Sequence, residues 1–145
     1  MKTIYTTGIV PYTLTGLIGL QRRATRNKKN NEEYAFFGGR RDIKVNGDLE
    51  TAEEAFYRES LEELRIHPAI YDSIGEVKKD QGQRICFQET FMVLFKTISE
   101  LSDYEGLGIE AHTILQARRL RMNPGDHLVL DQIQDFFTRR KIPMQ

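Results

Sequence analysis

The sequence has no net charge to give away. Lys+Arg and Asp+Glu both number 21 in 145 residues. That balance supplies no broad cationic surface for bulk nucleic acid or a membrane, and leaves only local charge for small phosphorylated ligands. There is a single cysteine, Cys86, so no intrachain disulfide can form. It lies in the apolar run Ile85-Cys86-Phe87 and is expected as a small core residue, since a reactive thiol needs a nearby base and an open site. No stretch approaches the ~20 apolar residues of a membrane span. The first residues, Met1-Lys2-Thr3-Ile4-Tyr5, lack a signal peptide's apolar core, so the expected location is cytoplasmic. Internal repeats, low-complexity tracts, a glycine-rich phosphate loop and a Cys/His zinc spacing are all missing. Gly8, Gly16 and Gly19 make no dinucleotide fingerprint and point to close strand packing or bulges. His67, His112 and His127 are too scattered to be a ligand set and are expected at the surface or in packing.

What is present is one domain's length of chain, with 39% hydrophobic and 29% charged residues, ordinary for a folded protein. Gly8 to Tyr12 and Leu14 to Gln21 have strand character. Arg22 to Glu33 is polar and is expected to be a loop, whose Arg26, Lys28 and Lys29 are mainly solvated, while Arg22 and Arg23 border the strand and could meet phosphate. Tyr34 to Phe37 predicts a short strand ending at Gly38-Gly39. Arg40 to Val45 predicts another before the turn Asn46-Gly47. Thr51 and Glu54 form a capping box that opens a helix over Ala52 to Leu64, bounded by Pro68. Strands are expected at Ile74 to Val77 and Arg84 to Ile98, with an acidic loop from Ser99 to Gly108. Thr113 to Met122 suggests strand plus short helix, Asn123-Pro124-Gly125-Asp126 a turn, and Leu128 to Arg140 a closing helix of period 3.6. The fold class is α+β: a mixed sheet with one helix in the middle of the chain and one at its end, an α/β/α sandwich pattern.

The middle helix carries the chemistry. On a wheel of ~100° per residue, Phe56, Tyr57, Ser60, Leu61 and Leu64 share the arc expected to face the core. Glu59, Glu62 and Glu63 share another, at spacings of three and four that make them neighbours. Each like-charge pair costs roughly 0.2–0.5 kcal/mol. The helix C-terminus, with its negative dipole end, is a poor place for them. Arg58 can reach Glu62, but Ile66 and His67 follow Glu62 and Glu63 where a basic partner would relieve the strain. Two readings are open on these grounds: a solvated acidic face, or a site for a hard cation such as Mg²⁺ or Mn²⁺.

The order Gly38-Gly39, Glu50, seven residues, then Arg58-Glu59-Ser60-Leu61-Glu62-Glu63-Leu64-Arg65-Ile66 resembles the Nudix box: Gly, five residues, Glu, seven residues, Arg-Glu-U-x-Glu-Glu-x-Gly-U, with U bulky and apolar. The box spans about a fifth of the chain. Ten residues, not five, separate Gly39 from Glu50, Ser60 replaces the first U, and Arg65 replaces the glycine that ends the helix in a left-handed conformation. Outside the box, Leu20-Gln21-Arg22-Arg23, Phe36-Phe37-Gly38-Gly39, the 105–110 loop and Asn123-Pro124-Gly125-Asp126 resemble segments of MutT-like members.

The resemblance implies a Nudix-type fold and a pyrophosphohydrolase that acts on acid anhydrides: metal-dependent attack of water on a phosphorus of a nucleoside diphosphate linked to another moiety. A nucleoside triphosphate, oxidised purines included, is favoured by the Asp126 segment. It implies that Glu59, Glu62 and Glu63 hold magnesium (or manganese), with Glu50 and the Gly39 carbonyl in support. Arg58 would orient a glutamate. Glu105, less so Glu110, would be base or further ligand. Arg22 or Arg23 would bind phosphate and Asp126 the nucleobase. Nucleotide sugars or ADP-ribose are alternative substrates, and a nucleotide-binding or regulatory module without hydrolysis is the alternative role. The family includes homodimers.

Overall fold

The computed structural model describes residues 1–23 and 32–144. Arg26, Lys28 and Lys29 therefore lie outside the described residues. In chain order the elements are β1 (Lys2–Tyr12), β2 (Ile18–Arg22), β3 (Tyr34–Ala35), β4 (Phe37–Arg40), α1 (Ala52–Glu59), β5 (Tyr71–Asp80), β6 (Arg84–Leu94), β7 (Ile109–His112), α2 (Ile114–Ala117) and α3 (Asp126–Arg140). A π-helical turn, Ser60–Leu64, continues α1 without a break.

Both long helices begin as the sequence dictates or nearly so. Thr51 caps α1, its Oγ1 accepting from the Glu54 N–H while the Glu54 carboxylate accepts from the Thr51 N–H. α3 starts at Asp126 behind Gly125, whose φ of 93° is a left-handed value that suits glycine. Leu128 to Arg140 was therefore short by one turn's beginning.

β1 is the organising strand. It runs parallel to β6 along its whole length and antiparallel to both β4 and β2 on its other edge. The strand order β3-β2-β1-β6-β5, with β4 on β1 and β7 on β2, makes one mixed sheet. Alternation along β1 and β6 divides the core in two. Ile9 and Phe91 pack toward α1 with Phe37, Phe56, Leu64 and Val93. Val10 and Met92 pack toward α2 and α3 with Tyr12, Leu20, Val129, Ile133 and Phe137. This is the period-2 switch of faces that a strand imposes, with a helix layer needed on each side.

Two expectations change. Arg40 to Val45 is not a strand: beyond β4 the chain makes only the isolated bridge Ile43 to Leu49 and exposes Ile43 and Val45 at its tip. The buried side of α1 is also rotated from the apolar arc. Tyr57 and Leu61 are exposed, while Ala52, Ala55, Phe56, Glu59, Ser60, Glu63 and Leu64 are buried. The helix thus turns two carboxylates inward. Small apolar residues and Phe56, stacked on Phe91 with ring centroids 4.4 Å apart, fill the interface. Cys86 is buried as expected, its sulfur 3.2 Å from Thr6 Oγ1.

Phe56→Ala removes the main anchor of α1 on the sheet. A cost of roughly 3–5 kcal/mol is expected, measured as a lower midpoint in urea unfolding.

Candidate active site

The acidic end of α1 packs under the Gly38-Gly39 backbone. Gly38 has φ 127° and faces the Thr7 carbonyl so closely that a Cβ would overlap it. At Gly39 a Cβ would overlap the Glu59 carboxylate. The pair is glycine because strand backbone and carboxylates must meet without side chains between them. The contact is direct: the Gly38 N–H donates to Glu63 Oε1 at 2.8 Å.

Arg58 organises the acids. Its Nε donates to Glu50 Oε2 at 3.0 Å and its Nη2 to Glu50 Oε1 at 2.9 Å, a two-pronged grip. Nη1 reaches Glu59 Oε1 at 2.9 Å and Glu62 Oε2 at 3.3 Å, and Nη2 the Arg40 carbonyl at 2.9 Å. Asp42, which the sequence did not single out, stands 3.4 Å from Nε. The Arg58 guanidinium holds the Glu50 carboxyl below the usual carboxylate range, helped by the Asp42 N–H. The same carboxylates hold Arg58 more firmly protonated than a free arginine.

The lengthened approach to Glu50 closes on itself. The Glu50 N–H donates to the Asp42 carbonyl at 2.7 Å, and the Asp42 N–H to Glu50 Oε1 at 2.7 Å. The chain from 43 to 49 is looped out, so Glu50 reaches Arg58 despite the extra residues. The Arg65 exit is likewise intact: φ 54° and ψ 43° are left-handed, the conformation expected of the glycine it replaces, and its N–H donates to the Leu61 carbonyl at 3.1 Å. An arginine there costs about 1 kcal/mol relative to glycine.

Glu63 is the most sequestered acid, with 4% of its surface exposed. Burial pushes its carboxyl up to about 8. The neighbouring Glu59 carboxyl and the charge of Glu105 add to this against the opposing Gly38 N–H. Two buried carboxylates in contact repel unless a proton or a cation lies between them. Their hard oxygens, the open Gly39 backbone and Glu62 beside them are the donor chemistry that suits Mg²⁺. Among the described residues no three acidic, histidine or cysteine side chains stand close enough to form a ready cation cage.

Other expected residues divide. Glu105 lies in the 101–108 loop, near enough for its charge to act on Glu63. Glu110 is engaged elsewhere, by Arg22 at 3.3 Å, Tyr34 Oη at 3.0 Å and His112 at 3.4 Å. Arg22 is thereby spent on an ion pair at the sheet edge. Arg23, paired with Glu32 at 3.2 Å, lines the cleft. That cleft, about 120 Å³, runs from Gly38 and Gly39 past Thr7, Phe36 and Arg84 to Asp126. Asp126 is buried at its floor, 3.0 Å from Lys79 Nζ, which also donates to Gln88 Oε1 at 2.7 Å. Burial raises the Asp126 carboxyl and the Lys79 ammonium opposes the rise.

Lys79, Gln88, Gln21 and Asp103 were not singled out from the sequence. Lys79 had a signal: strand alternation puts it on the inner face with Val77. Gln21 Nε2 stands 3.5 Å from Glu63 Oε2 and 3.3 Å from Asp103 Oδ1, contacts across 42 and 82 residues that no local pattern reveals.

No family model and no curated relative matches the chain in sequence. Solved structures match its fold. Escherichia coli ORF135 protein superposes with TM-score 0.71 at 19% identity, over 97% of this chain and 94% of that one. A MutT protein from Methanosarcina mazei Go1 gives 0.71 at 18%, over 97% and 96%. The NUDIX domain of Shewanella oneidensis NrtR, complexed with ADP ribose, gives 0.64 at 15%, over 94% and 90%. The chain has the Nudix fold, an α+β sandwich whose central and C-terminal helices flank a mixed sheet.

Glu63 yields a stability prediction. Its carboxyl is raised in the folded state, so the folded protein holds this proton more tightly than the unfolded chain. The stability it contributes is full below the ordinary carboxylate range and is lost as pH rises toward about 8. Chelator-treated protein is expected to melt progressively lower between pH 5 and pH 8.5, roughly the interval between the unfolded and folded values. Glu63→Gln should flatten that slope in thermal denaturation followed by circular dichroism.

Proposed function

We propose that this chain is a divalent-metal-dependent hydrolase that cleaves a phosphoanhydride of a nucleoside diphosphate linked to another moiety, with a nucleoside triphosphate, oxidised purines included, as its preferred substrate. The observation that carries this reading is the placement of Glu59 and Glu63, inward-facing against the Gly38-Gly39 backbone, the same two glycines that line a cleft with Lys79 and Asp126. A nucleotide needs both, a cation site for its phosphates and a polar site for its heterocycle.

Glu59, Glu62 and Glu63 would hold Mg²⁺ or Mn²⁺, with Glu50 and the Gly39 backbone beside them. When bound, the ion supplies charge for the crowded phosphate oxygens and lowers the pKa of water. Arg58 keeps Glu50 and Glu59 fixed, so that the carboxylates meet the ligand without first reorganising. Gly38 N–H holds one Glu63 oxygen in place. Glu105 accepts the proton of the attacking water in this scheme, because Glu110 is occupied by Arg22 and Tyr34. Arg23 faces the cleft and supplies the phosphate contact, while Arg22 is turned to the sheet edge. Asp126 and Lys79 present an acceptor beside a donor to the edge of the base.

A second reading, nucleotide or ADP-ribose binding without turnover, draws on the Arg58 guanidinium lying between Glu59 and Glu62. The likeness to an NrtR domain complexed with ADP ribose points the same way.

A hydrolysis panel with Mg²⁺ separates the two. Nucleoside triphosphates, oxidised purine forms, nucleotide sugars and ADP-ribose would be offered, and monophosphate release followed by chromatography. Release that stops with chelator is expected. Loss of an outer support to a metal ligand costs roughly 10–100-fold, so Glu62→Gln and Glu63→Gln should each lower kcat by more than ~100-fold. Unchanged rates in both variants would sink the hydrolase reading.

A further inference from the structure

The Arg65 side chain is not explained by the helix it terminates. Its backbone conformation is one that glycine adopts without strain, so the helix exit itself does not call for an arginine. That side chain crosses to the 101–108 loop and lays its guanidinium 4.5 Å from the centre of the Tyr104 ring. The Tyr104 N–H donates to the Glu63 carbonyl at 2.9 Å, a bond that satisfies a carbonyl at the helix end. Tyr104 thus touches the end of the acidic helix through both its ring and its backbone.

A second tie lies one residue earlier. Asp103 accepts from the N–H groups of Glu105 at 3.0 Å, Gly106 at 2.9 Å and Gly108 at 3.3 Å, which fixes the loop's internal shape. Gln21 Nε2 joins this Asp103 carboxylate to the Glu63 side chain. Gly106 packs so tightly on Asp103 and Gln21 that a Cβ would overlap the aspartate. Glu105 follows directly on both ties, and its own N–H is held by Asp103.

We propose that Arg65 and Tyr104 form a latch that, together with the Gln21–Asp103 tie, fastens the 101–108 loop to the end of the acidic helix and makes Arg65 a positioning residue for Glu105. The latch itself is independent of the chemistry. Its consequence for turnover rests on the hydrolase reading above. Glycine at 65 would suit the backbone better yet release the loop, which separates positioning from helix termination.

The test is amide hydrogen exchange on metal-free protein, then kinetics on the full chain. In Arg65→Gly the Glu105 and Gly106 amides should exchange roughly tenfold or more faster, with β1 and β6 unchanged. Tyr104→Phe keeps the ring and should match wild type, Tyr104→Ala should match Arg65→Gly, and Arg65→Lys should restore part of the protection. With an active substrate, Arg65→Gly should lower kcat about tenfold at unchanged KM, as for a misplaced catalytic group. Loop exchange equal to wild type in Arg65→Gly and Tyr104→Ala overturns the latch. So does acceleration spread evenly over β1 and β6, which would mark a residue of general stability. A loosened loop with unchanged kcat overturns the positioning role. If wild type hydrolyses no nucleotide, the hydrolase reading fails while the exchange data still decide the latch.

Discussion

Everything at the acidic end of α1 depends on how negative charge is held together, and Arg58 does most of the holding. Five acceptors converge on one guanidinium: Glu50, Glu59, Glu62, Asp42 and the Arg40 carbonyl. Arginine suits this place because its planar fork gives several donors in fixed directions, where a lysine would give one point charge. Its side chain is about a quarter exposed, so the pairings are only partly screened by water. Glu63 has no bond to it. Buried beside Glu59, its carboxyl is raised, the mark of a charge that Arg58 does not balance.

The sheet provides the other half. The two glycines of β4 admit the carboxylates because β1 pairs with β4 on one edge and with β6 along the whole of the other. β1 alternates Ile9 toward α1 and Val10 toward α3, so a single strand fixes the height of both helices against the sheet. The cleft is lined by those two glycines, against which the acidic helix packs, and by the buried Lys79–Asp126 pair. Burying that pair is expensive unless its hydrogen bonds are complete. Gln88 supplies one of them, and the missing side chain of Gly125 lets Lys79 pass alongside the start of α3.

Departures from the expected box are absorbed rather than propagated. The five extra residues before Glu50 form an excursion whose ends, Asp42 and Glu50, bond to each other twice. Loop closure grows only slowly in cost with length, so such an insertion is tolerated when its base is tied. Ser60 in place of a bulky apolar residue is fully buried at the start of the π-helical turn, with no hydrogen-bond partner for its hydroxyl among the described residues. Arg65 keeps the left-handed exit at a modest cost, partly offset by roughly 0.5–1 kcal/mol from its ring contact.

The sequence by itself determined whatever acts over a few residues. Spacings of three and four made Glu59, Glu62 and Glu63 neighbours on any helix, Thr51 and Glu54 fixed where that helix starts, and alternation marked β1 and β6. The order of Glu50, Arg58 and the three glutamates pointed to the Nudix fold before any contact was known. Tertiary structure decided what requires distant segments to meet. It chose which face of α1 is buried, turning Glu59 and Glu63 inward and leaving Tyr57 and Leu61 outside, because the sheet surface and not the hydrophobicity of the helix sets that angle. It assigned Arg22 to Glu110 and left Arg23 in the cleft. It joined Lys79 to Asp126 and Gln21 to Glu63. The acidic helix was legible as a cluster of charges. Only the sheet folded over it made a site, since burial is what turns neighbouring carboxylates into a demand for a cation.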